Sequence, residues 1–600
     1  MINKNSFSSL QFLPRFFTLI YRVNPFLFFC AIVLRLLKSF IPVLLLWIGK
    51  EIIDELMMLL DTSTQELRPL YFLIGFELVL ALLSDVFNRL IALSDALLGD
   101  LYANASSVKL INKTAQVDLM DLENAEFYDK LERARRQTTA RVALMSNVLS
   151  QAQNVVTIIL LISALIYFYP ILLVLLVISI VPAFINELKF SQTSYSLQRS
   201  WTPQRRELDY MRMIGASDVT AKEVKLFGLS SFISNSFQSL ADKYYQANRQ
   251  LAIKRSLWGA FFHVLGDLTY YGAYVFIVLK TVHAELSIGE LTFLAGSFNN
   301  LRRNMQSFFF SFSKITESSF YLKDYFDFID LELSDTLDEE ILEEVPRQIK
   351  EGIRFESVTF QYPNTEKKVI DGLSFEIKKG EKLALVGVNG AGKTTLIKLL
   401  LRLYEPTSGK ILLDGIDIKR YPKKQYQQLF GAIFQDFVKY YFSAKTNIAV
   451  GNIAQLQNDD KIKDAAVRSL ADEVIASLPK QYDQELGKRF KNGVELSGGQ
   501  WQKIGLARAY MTDAEAIILD EPTSALDARA EYEVFQRFIN LTEGKTSIII
   551  SHRFSTVRMA DRILVLKDGK VLELGTHKEL LQNNKLYAEL FRLQAAGYKE

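Results

Sequence analysis

A glycine-rich segment in the second half of the chain has the residue types that hold a nucleotide phosphate: Gly387-Val-Asn-Gly-Ala-Gly-Lys393-Thr394. The apolar run 383–386 before it predicts a buried strand, and residues 395–401 after it predict a helix. In this strand–loop–helix order, backbone N–H groups close round a phosphate at the positive end of the helix dipole. Lysine then reaches the β- and γ-phosphates, and the threonine hydroxyl binds Mg²⁺. The predicted ATP-binding residues here are Gly387, Asn389, Gly390, Gly392, Lys393, Thr394 and Thr395.

Two carboxylates follow a second predicted strand further along the chain. The apolar run 516–519 leads directly into Asp520 and Glu521. Because parallel strands present their carboxyl ends at one edge of a sheet, these acids are expected beside the phosphate loop. Phosphoryl transfer needs a metal ligand and a group that orients the attacking water. We predict that Asp520 binds Mg²⁺ and that Glu521 orients the attacking water. Two solvated acids at a strand end would be the alternative if the phosphate loop were missing.

A second glycine-rich turn, Leu496-Ser497-Gly498-Gly499-Gln500, opens onto a predicted helix over 501–511. Between a phosphate loop and an acidic strand end, this turn is the signature of ATP-binding cassette (ABC) ATPases. The whole chain resembles a half-size exporter of that superfamily. The resemblance implies an all-α membrane domain with six helices, of the type IV exporter kind, followed by an α/β P-loop ATPase domain. It also implies export driven by ATP hydrolysis.

The resemblance assigns further site residues, one position at a time. Tyr362 matches the aromatic residue that stacks on adenine, and Gln435 matches the glutamine that contacts Mg²⁺ and the attacking water. His552 matches the switch histidine on the γ-phosphate, and Asp527 ends a loop that crosses to a partner domain. An ordinary strand tyrosine and a structural histidine are the competing interpretations.

The resemblance further implies that one chain is half of the working assembly. In the family, the residues matching Ser497 and Gly499 cap a γ-phosphate held by the opposite ATPase domain, and Gly498 and Gln500 of the same turn are further predicted ATP-binding residues. We therefore expect a second copy of the chain, or a related half-transporter, as partner, with ATP and Mg²⁺ as cofactors. Two polar segments, 118–130 and 217–228, resemble the short helices by which exporters rest on their ATPase domains. Their candidate contact residues are Phe127, Tyr128 and Phe227, and local burial of these rings is the alternative.

Composition indicates a mixed protein. Of the 600 residues, 49% are hydrophobic and 23% are charged, too apolar for a soluble chain and too charged for one embedded throughout. At roughly 100–200 residues per domain, several units are expected. The 70 basic and 67 acidic residues give a net charge of +3, which argues against a nucleic-acid partner. The single cysteine, Cys30, excludes an intrachain disulfide and a cysteine-based metal centre.

Six stretches are candidate membrane spans, because crossing a ~30 Å hydrocarbon core takes about 20 helical residues. They cover 25–49, 70–98, 148–169, 170–185, 257–282 and 288–312, and the third and fourth form a tight hairpin. Residues 1–22 are expected to form a helix on the membrane surface rather than a signal peptide, because the following apolar stretch is too long for a signal core.

Loop charges set the orientation, since basic residues prefer the cytoplasmic side. Lys and Arg are frequent in 101–140 and 189–255, whereas 51–69 is acidic. This predicts a multi-pass protein of the cell (inner) membrane with both termini and the ATPase domain in the cytoplasm. The predicted domains are a transmembrane domain, 1–334, an acidic linker, 335–350, and a nucleotide-binding domain, 351–600.

Charges inside the spans are costly when they face lipid, so we expect them in the bundle interior or in a watery cavity. Glu77, Asp267, Arg302 and Arg303 are candidate cavity residues, and ion pairing between helices is the alternative. Segments 434–440, 486–490 and 500–503 look most like bacterial exporters of lantibiotics and related modified peptides. This favours a peptide or another amphipathic compound as the transported substrate. A multidrug exporter, a lipid flippase and a membrane-bound ATPase sensor remain alternatives.

Overall fold

A computed structural model describes residues 9–61, 66–136, 138–331, 343–363, 365–520, 536–551 and 553–596. The chain divides into two compact units. The first comprises Met1–Val117 and Ala125–Leu331, and the second comprises Asp118–Asn124 and Glu332–Glu600. Residues 335–342 of the predicted linker lie outside the described residues. Residues Asp118–Asn124, which we call the inserted segment, leave the first unit and belong to the second.

The first unit is helical throughout its described residues. After a 3₁₀ turn at Ser9–Phe12, its helices are α1 Leu13–Val23, α2 Pro25–Asp61, α3 Arg68–Thr114, α4 Ala125–Arg136, α5 Thr138–Phe168, α6 Ile171–Ser200, α7 Thr202–Gly215, α8 Ala221–Leu226, α9 Ser230–Val282 and α10 Ile288–Ile329. Helix α3 has 47 residues and therefore measures about 70 Å, more than twice the hydrocarbon thickness. The long helices accordingly extend well beyond a membrane.

In the described residues, five helical stretches are long and apolar enough to cross a membrane: Pro25–Leu60, Arg68–Thr114, Leu144–Phe168, Ile171–Ser194 and Ser230–Val282. The sixth predicted span lies on α10, which is long enough but is not among these five by composition. Arg302 and Arg303 interrupt its apolar stretch. Helix α10 packs against α2, α5, α6 and α9, so its neighbours are the other long helices of the unit.

The predicted hairpin between the third and fourth spans is confirmed. Helix α5 ends at Phe168 and α6 begins at Ile171. The turn is closed by backbone hydrogen bonds from Leu172 to the Tyr169 carbonyl, at 3.2 Å, and from Leu173 to the Pro170 carbonyl, at 3.1 Å. Proline fits this place because it occupies the turn immediately before the helix, where no intrahelical N–H donor is needed.

A buried ion pair joins α2, α3 and α5 within the apolar bundle. The Arg35 guanidinium, on a residue only 2% exposed, lies 2.5 Å from a carboxylate oxygen of Asp95. Ser146 donates a hydrogen bond to the same oxygen at 2.6 Å. The pair explains how a charge predicted to face the bundle interior is tolerated there, because a buried charge needs an opposite partner.

The second unit is α/β. Its strands are β1 Gly352–Gln361, β2 Lys368–Lys378, β3 Lys382–Gly387, β4 Ser408–Leu413, β5 Ile416–Asp417, β6 Phe430–Ile433, β7 Ala516–Asp520, β8 Thr546–Ile550, β9 Arg562–Lys567 and β10 Lys570–Gly575. Among the described strands, one sheet has the order β2-β1-β4-β5 and is antiparallel. The other has the order β10-β9-β3-β8-β7-β6, in which β9, β3, β8, β7 and β6 run parallel.

Helices separate most of the parallel strands. They are α11 Lys393–Leu400, α12 Lys423–Gln427, α13 Ala444–Ala449, α14 Asp459–Ser469, α15 Ala471–Ala476, α16 Gly498–Met511, α17 Phe554–Val557, α18 His577–Gln582 and α19 Leu586–Ala596, with residues 536–541 also helical. The central strands β7 and β8 are buried at every position, as expected for strands covered by helices on both faces. This sheet therefore provides a rigid base for residues at its carboxyl edge.

The Arg35–Asp95 pair predicts that removing one charge destabilises the protein more than removing both. Arg35→Met leaves a carboxylate buried without its cation and is expected to destabilise the first unit by about 3–5 kcal/mol. Combining it with Asp95→Leu removes both charges, and most of that loss should be recovered. Thermal unfolding of the purified protein in detergent measures the difference. A double variant no more stable than the single one would contradict the assignment.

Candidate nucleotide-binding site

The phosphate loop lies between β3 and α11, as the sequence predicts. Gly390 and Gly392 have φ angles of 79° and 100°, which a residue with a side chain rarely adopts. Lys393 begins α11 and is 7% exposed. Its ammonium donates to the carbonyls of Gly387, at 2.9 Å, and Val388, at 3.3 Å. The lysine charge is therefore held within the curve of the loop.

The rim of the loop is open. Asn389, Gly390 and Thr394 are exposed, whereas Gly387, Gly392 and Thr395 are buried. A side chain at Gly387 would bring its Cβ within 2.4 Å of the Leu566 carbonyl oxygen on β9. The glycine thus permits β3 to pass close to its neighbour and turn into the loop.

The second predicted metal ligand lies beside the loop. Strand β7 ends at Asp520, which is 3% exposed. The Thr394 hydroxyl donates to a carboxylate oxygen of Asp520 at 3.2 Å. A hydroxyl and a carboxylate are the hard oxygen ligands that Mg²⁺ prefers, with nucleotide phosphates and water completing its shell. The residues present therefore fit a magnesium–nucleotide complex. No group of three or more His, Cys, Asp or Glu side chains suited to a metal occurs in the described part of the chain.

Gln435 leaves the sheet at the same edge. It follows β6, whose last residue Ile433 pairs in parallel register with Leu519 of β7. The carboxyl ends of these neighbouring strands therefore direct Gln435 and Asp520 toward one side of the unit. The register supports the grouping that the sequence predicted for these two residues.

The loop that follows Gln435 is tied to helix α16. The Arg508 guanidinium lies over the rings of Phe437, at 5.6 Å, and Tyr440, at 5.1 Å. It also donates to the carbonyls of Val438, at 2.8 Å, and Asn447, at 2.9 Å. Gly505, one turn earlier on α16, leaves room for the Phe437 ring, since a Cβ there would lie 3.3 Å from it. Because these contacts join α16 to the segment that carries Gln435, a movement of α16 would shift that segment.

Helix α16 begins at the predicted signature turn. Ser497 is its N-cap, and a capping box joins Ser497 to Gln500 through two reciprocal hydrogen bonds, of 2.8 and 3.3 Å. Ser497 and Gly498 are exposed, and Gly499 is half-buried. The positive end of a 14-residue helix is thus presented at the surface of the unit, where it can attract an anion.

Tyr362 lies next to the start of α11. Its hydroxyl shares a 3.0 Å hydrogen bond with Thr395, and its half-buried ring packs edge-on against Phe360 and Tyr404. The ring is therefore near the phosphate loop, as expected for an adenine-stacking residue. Glu521 and Asp527, which follow β7, and His552, which follows β8, lie outside the described residues, and their roles stay predictions.

The inserted segment, which begins the predicted coupling segment 118–130, contacts the rest of the second unit. Leu119 packs against the hydrophobic core, and Asp118 forms an ion pair with Lys423. Glu123 accepts a hydrogen bond from the Tyr404 hydroxyl and lies 3.5 Å from Lys398 of α11. Burial, with the Glu123 carboxylate beside the hydroxyl, raises the pKa of Tyr404 and keeps it a donor. Residues 275 positions apart meet here, and no local pattern announces such a contact.

The predicted coupling aromatics all belong to the first unit. Phe127 packs on Phe328 with ring centroids 5.8 Å apart. Tyr128 is 46% exposed. Phe227 caps the end of α8 and is 65% exposed.

The predicted cavity residues fall into different environments. Arg302 pairs with Asp267 at 2.5 Å, and Glu77 is a half-exposed residue on α3. Arg303 alone of the four lines the described cavity between α6, α9 and α10.

Comparisons with known proteins match either part of the chain or nearly all of it. The ABC transporter family model matches residues 370–524. The chain is 31% identical over 587 residues to the subtilin transport ATP-binding protein of Bacillus subtilis, covering 96% of this chain and 93% of that protein. It is 27% identical to the nisin transport ATP-binding protein of Lactococcus lactis subsp. lactis, covering 98% and 97%. An ATP-dependent lipid A-core flippase of Methylobacillus flagellatus is 42% identical over 243 residues, covering 40% of this chain and 41% of that protein.

A solved structure of a bacterial Atm1-family ABC exporter with ATP bound has the same fold, with a TM-score of 0.81 and 24% identity, over 94% of this chain and 97% of that one. The phosphate loop, the acidic strand end and the apolar helices define a P-loop ATPase joined to a multi-pass membrane domain. The chain belongs to the ABC transporter family and is an ATP-hydrolysing exporter. The predicted fold, a helical membrane domain followed by an α/β ATPase domain, is confirmed.

The two strained glycines of the phosphate loop predict different sensitivities. An alanine Cβ at Gly390 would meet nothing within 4 Å, whereas at Gly392 it would lie 2.7 Å from Ile370 and 2.9 Å from the Val369 carbonyl oxygen. Both changes cost about 1–2 kcal/mol in backbone strain. Only Gly392→Ala adds a collision with β2, so it should weaken binding of a fluorescent ATP analogue at least about tenfold more than Gly390→Ala. Equal losses would show that the close approach to β2 is unimportant.

Proposed function

We propose that this exporter moves a peptide, or a similar amphipathic compound, from the cytoplasm across the membrane by alternating access in a dimer. The observation that carries the proposal is the extent of its similarities. The subtilin and nisin transport proteins match nearly the whole chain, including the helices that must contact the cargo. The flippase matches a stretch close to the length of the ATPase domain.

This difference is informative because the two units have different tasks. ATP binding and hydrolysis require the same residues whatever is transported, so high identity in the ATPase domain says little about cargo. Cargo contacts come from the membrane helices, and similarity there favours a related cargo. A lipid flippase and a multidrug exporter are the competing functions, and an ATPase sensor that transports nothing is the other alternative.

The proposed hydrolysis uses residues of the phosphate loop and of the carboxyl edge of the parallel sheet, together with Glu521 and His552, whose roles are predicted from the sequence. Lys393 and the N–H groups of the loop neutralise the β- and γ-phosphates, and Tyr362 stacks on adenine. Thr394, Asp520 and Gln435 would hold Mg²⁺, which would supply further positive charge at these phosphates. Glu521 orients the attacking water, and His552 contacts the γ-phosphate. Each group acts by positioning or by charge, the dominant contributions to phosphoryl transfer.

The proposed partner is a second copy of the chain or a related half-transporter. Ser497, Gly498 and Gly499 present a helix N-terminus at the surface, an arrangement suited to cap a γ-phosphate brought by another ATPase domain. The loop ending at Asp527 would cross to the same partner. One chain carries the phosphate loop, the acidic strand end and the signature turn, so two copies would form two composite ATP sites.

The proposed setting is the cell (inner) membrane, with both termini and the ATPase domain in the cytoplasm. The basic character of residues 101–140 and 189–255 supports this orientation. The exposed rings of Tyr128 and Phe227 are proposed to contact an ATPase domain, and Phe127 to support that surface from its position on Phe328.

Substrate-dependent ATPase activity tests the proposed cargo. The full chain in nanodiscs should hydrolyse ATP faster when cationic or acidic amphipathic peptides are added, in a saturable manner. The same assay is repeated with short-chain lipids and with drug-like cations in place of the peptides. Stimulation by lipids alone would overturn peptide export in favour of a flippase, and stimulation by drugs alone would favour a multidrug exporter.

The contact of Glu123 with Tyr404 and Lys398 predicts a role in coupling. Glu123→Ala removes both contacts and should reduce the transport per ATP hydrolysed several-fold, while ATP affinity changes less than about twofold. Phe227→Ala is expected to uncouple hydrolysis from transport in the same assay.

The control is Glu405→Ala, since Glu405 forms an exposed ion pair with Lys419 at 2.8 Å and such pairs contribute little. Proteoliposome transport and ATPase rates, measured on the same preparations, give the ratio. An unchanged ratio for Glu123→Ala would remove this residue from coupling.

A further inference from the structure

A cavity of about 370 Å³ lies in the first unit between α6, α9 and α10. Each helix contributes residues at helical spacing, for example Gly259, Phe262 and His263 on α9. Positions separated by three or four residues lie on one face of a helix, so three helix faces converge on the space. The volume is near the lower end of the range for small-molecule sites, about 300–1,000 Å³. It suits a short stretch of side chains rather than a whole peptide.

Aromatic rings form one wall of the cavity. Phe184 of α6 stacks on Phe309 of α10 with ring centroids 4.2 Å apart, and Phe310 and Phe262 also line the space. Such a wall favours apolar groups through burial of their surface.

The acidic and basic side chains at the cavity do not balance. Glu187 lines the space, but its carboxylate is held by Arg255, which bonds it through two guanidinium nitrogens. Arg303 donates to the side-chain oxygen of Asn300 at 3.2 Å. No acidic side chain among the residues that the structure describes lies within ion-pair distance of Arg303. The cavity therefore carries an unbalanced positive charge next to an apolar wall.

A cation within the membrane domain is costly unless an opposite charge or water accompanies it. A carboxylate supplied by the cargo would pair with the Arg303 guanidinium through charge-assisted hydrogen bonds. His263, on the neighbouring helix α9, can donate a further hydrogen bond from its ring.

We propose that this cavity binds an acidic residue of the transported peptide together with an adjacent apolar side chain. The carboxylate pairs with Arg303, and the apolar side chain lies against Phe184 and Phe309. This assignment rests on the proposed function, peptide export, and adds to it the chemistry that the exporter selects. An anionic lipid headgroup has a related charge, and the experiment separates the two.

Gly259 provides a way to fill the cavity without disturbing the fold. A Cβ built there meets nothing within 4 Å, so a leucine would extend into open space. Gly272, on the same helix α9, also has nothing within 4 Å of its Cβ and does not line the cavity. The two glycines therefore form a matched pair for substitution.

The first experiment measures charge selectivity. The full-length protein in nanodiscs is assayed for peptide-stimulated ATPase with two peptides that differ by one Asp-to-Asn change between apolar residues. The wild-type protein should need about tenfold less of the aspartate peptide for half-maximal stimulation. Arg303→Lys should keep this order, and Arg303→Glu should abolish it and favour a lysine-bearing peptide.

The second experiment tests the position of the site. Gly259→Leu should raise the half-maximal concentration of the aspartate peptide at least about tenfold, whereas Gly272→Leu should leave it within about twofold of wild type. Phosphatidylglycerol and phosphatidylcholine, added as short-chain forms, test the lipid alternative.

The outcomes separate the two proposals. If no peptide stimulates the wild-type protein, the proposed function fails and this assignment fails with it. If peptides stimulate but the Arg303 and Gly259 variants respond like wild type, only the assignment of the cavity is overturned. If the variants change the stimulation of ATPase activity by phosphatidylglycerol but not by either peptide, the cavity is a lipid site and the peptide assignment is wrong.

Discussion

The carboxyl edge of the parallel sheet is the constraint on which the rest of this structure depends. Strands β3, β6 and β7 run in one direction, so the phosphate loop, Gln435 and Asp520 all emerge at the same edge. The 3.2 Å hydrogen bond between Thr394 and Asp520 shows this convergence directly.

Two further sets of contacts extend from that edge. Arg508 ties the segment after Gln435 to the helix of the signature turn, and Tyr362 and Tyr404 link Thr395 to Glu123 of the inserted segment. The predicted nucleotide site is thus joined by direct contacts to the helix of the signature turn and to the inserted segment.

In the membrane unit, ion pairs join several of the long helices. Arg35 of α2 pairs with Asp95 of α3, Arg302 of α10 with Asp267 of α9, and Arg255 of α9 with Glu187 of α6. Arg303 departs from this pattern, since its described partner is the amide of Asn300. A cargo carboxylate would pair with this charge beside the aromatic rings. Cargo selection would then follow the same pairing of opposite charges that joins helices of the membrane unit.

The sequence predicted those features whose signals are local. The phosphate loop, the acidic strand end and the signature turn each occupy a few consecutive residues, and the Tyr169–Pro170 hairpin follows from two apolar runs that meet. The individual contacts between distant positions could not be predicted, because one sequence carries no record of which residues meet. The resemblance placed segment 118–130 on an ATPase domain, but nothing in the sequence indicated that Glu123 meets Tyr404, 281 positions away. The cavity shows the same limit: four charged residues were candidates, yet the structure pairs Arg302 with Asp267 and leaves Arg303 to line the space.

The central claim is that ATP hydrolysis at this edge drives a peptide across the membrane, and transport measured directly is its most decisive test. Inside-out proteoliposomes containing the full chain are given a labelled amphipathic peptide with an aspartate between apolar residues, together with Mg²⁺ and ATP. We expect saturable accumulation that requires hydrolysable ATP and is abolished by Glu521→Gln. Accumulation that is equal without ATP, or that persists in the Glu521→Gln variant, would contradict it.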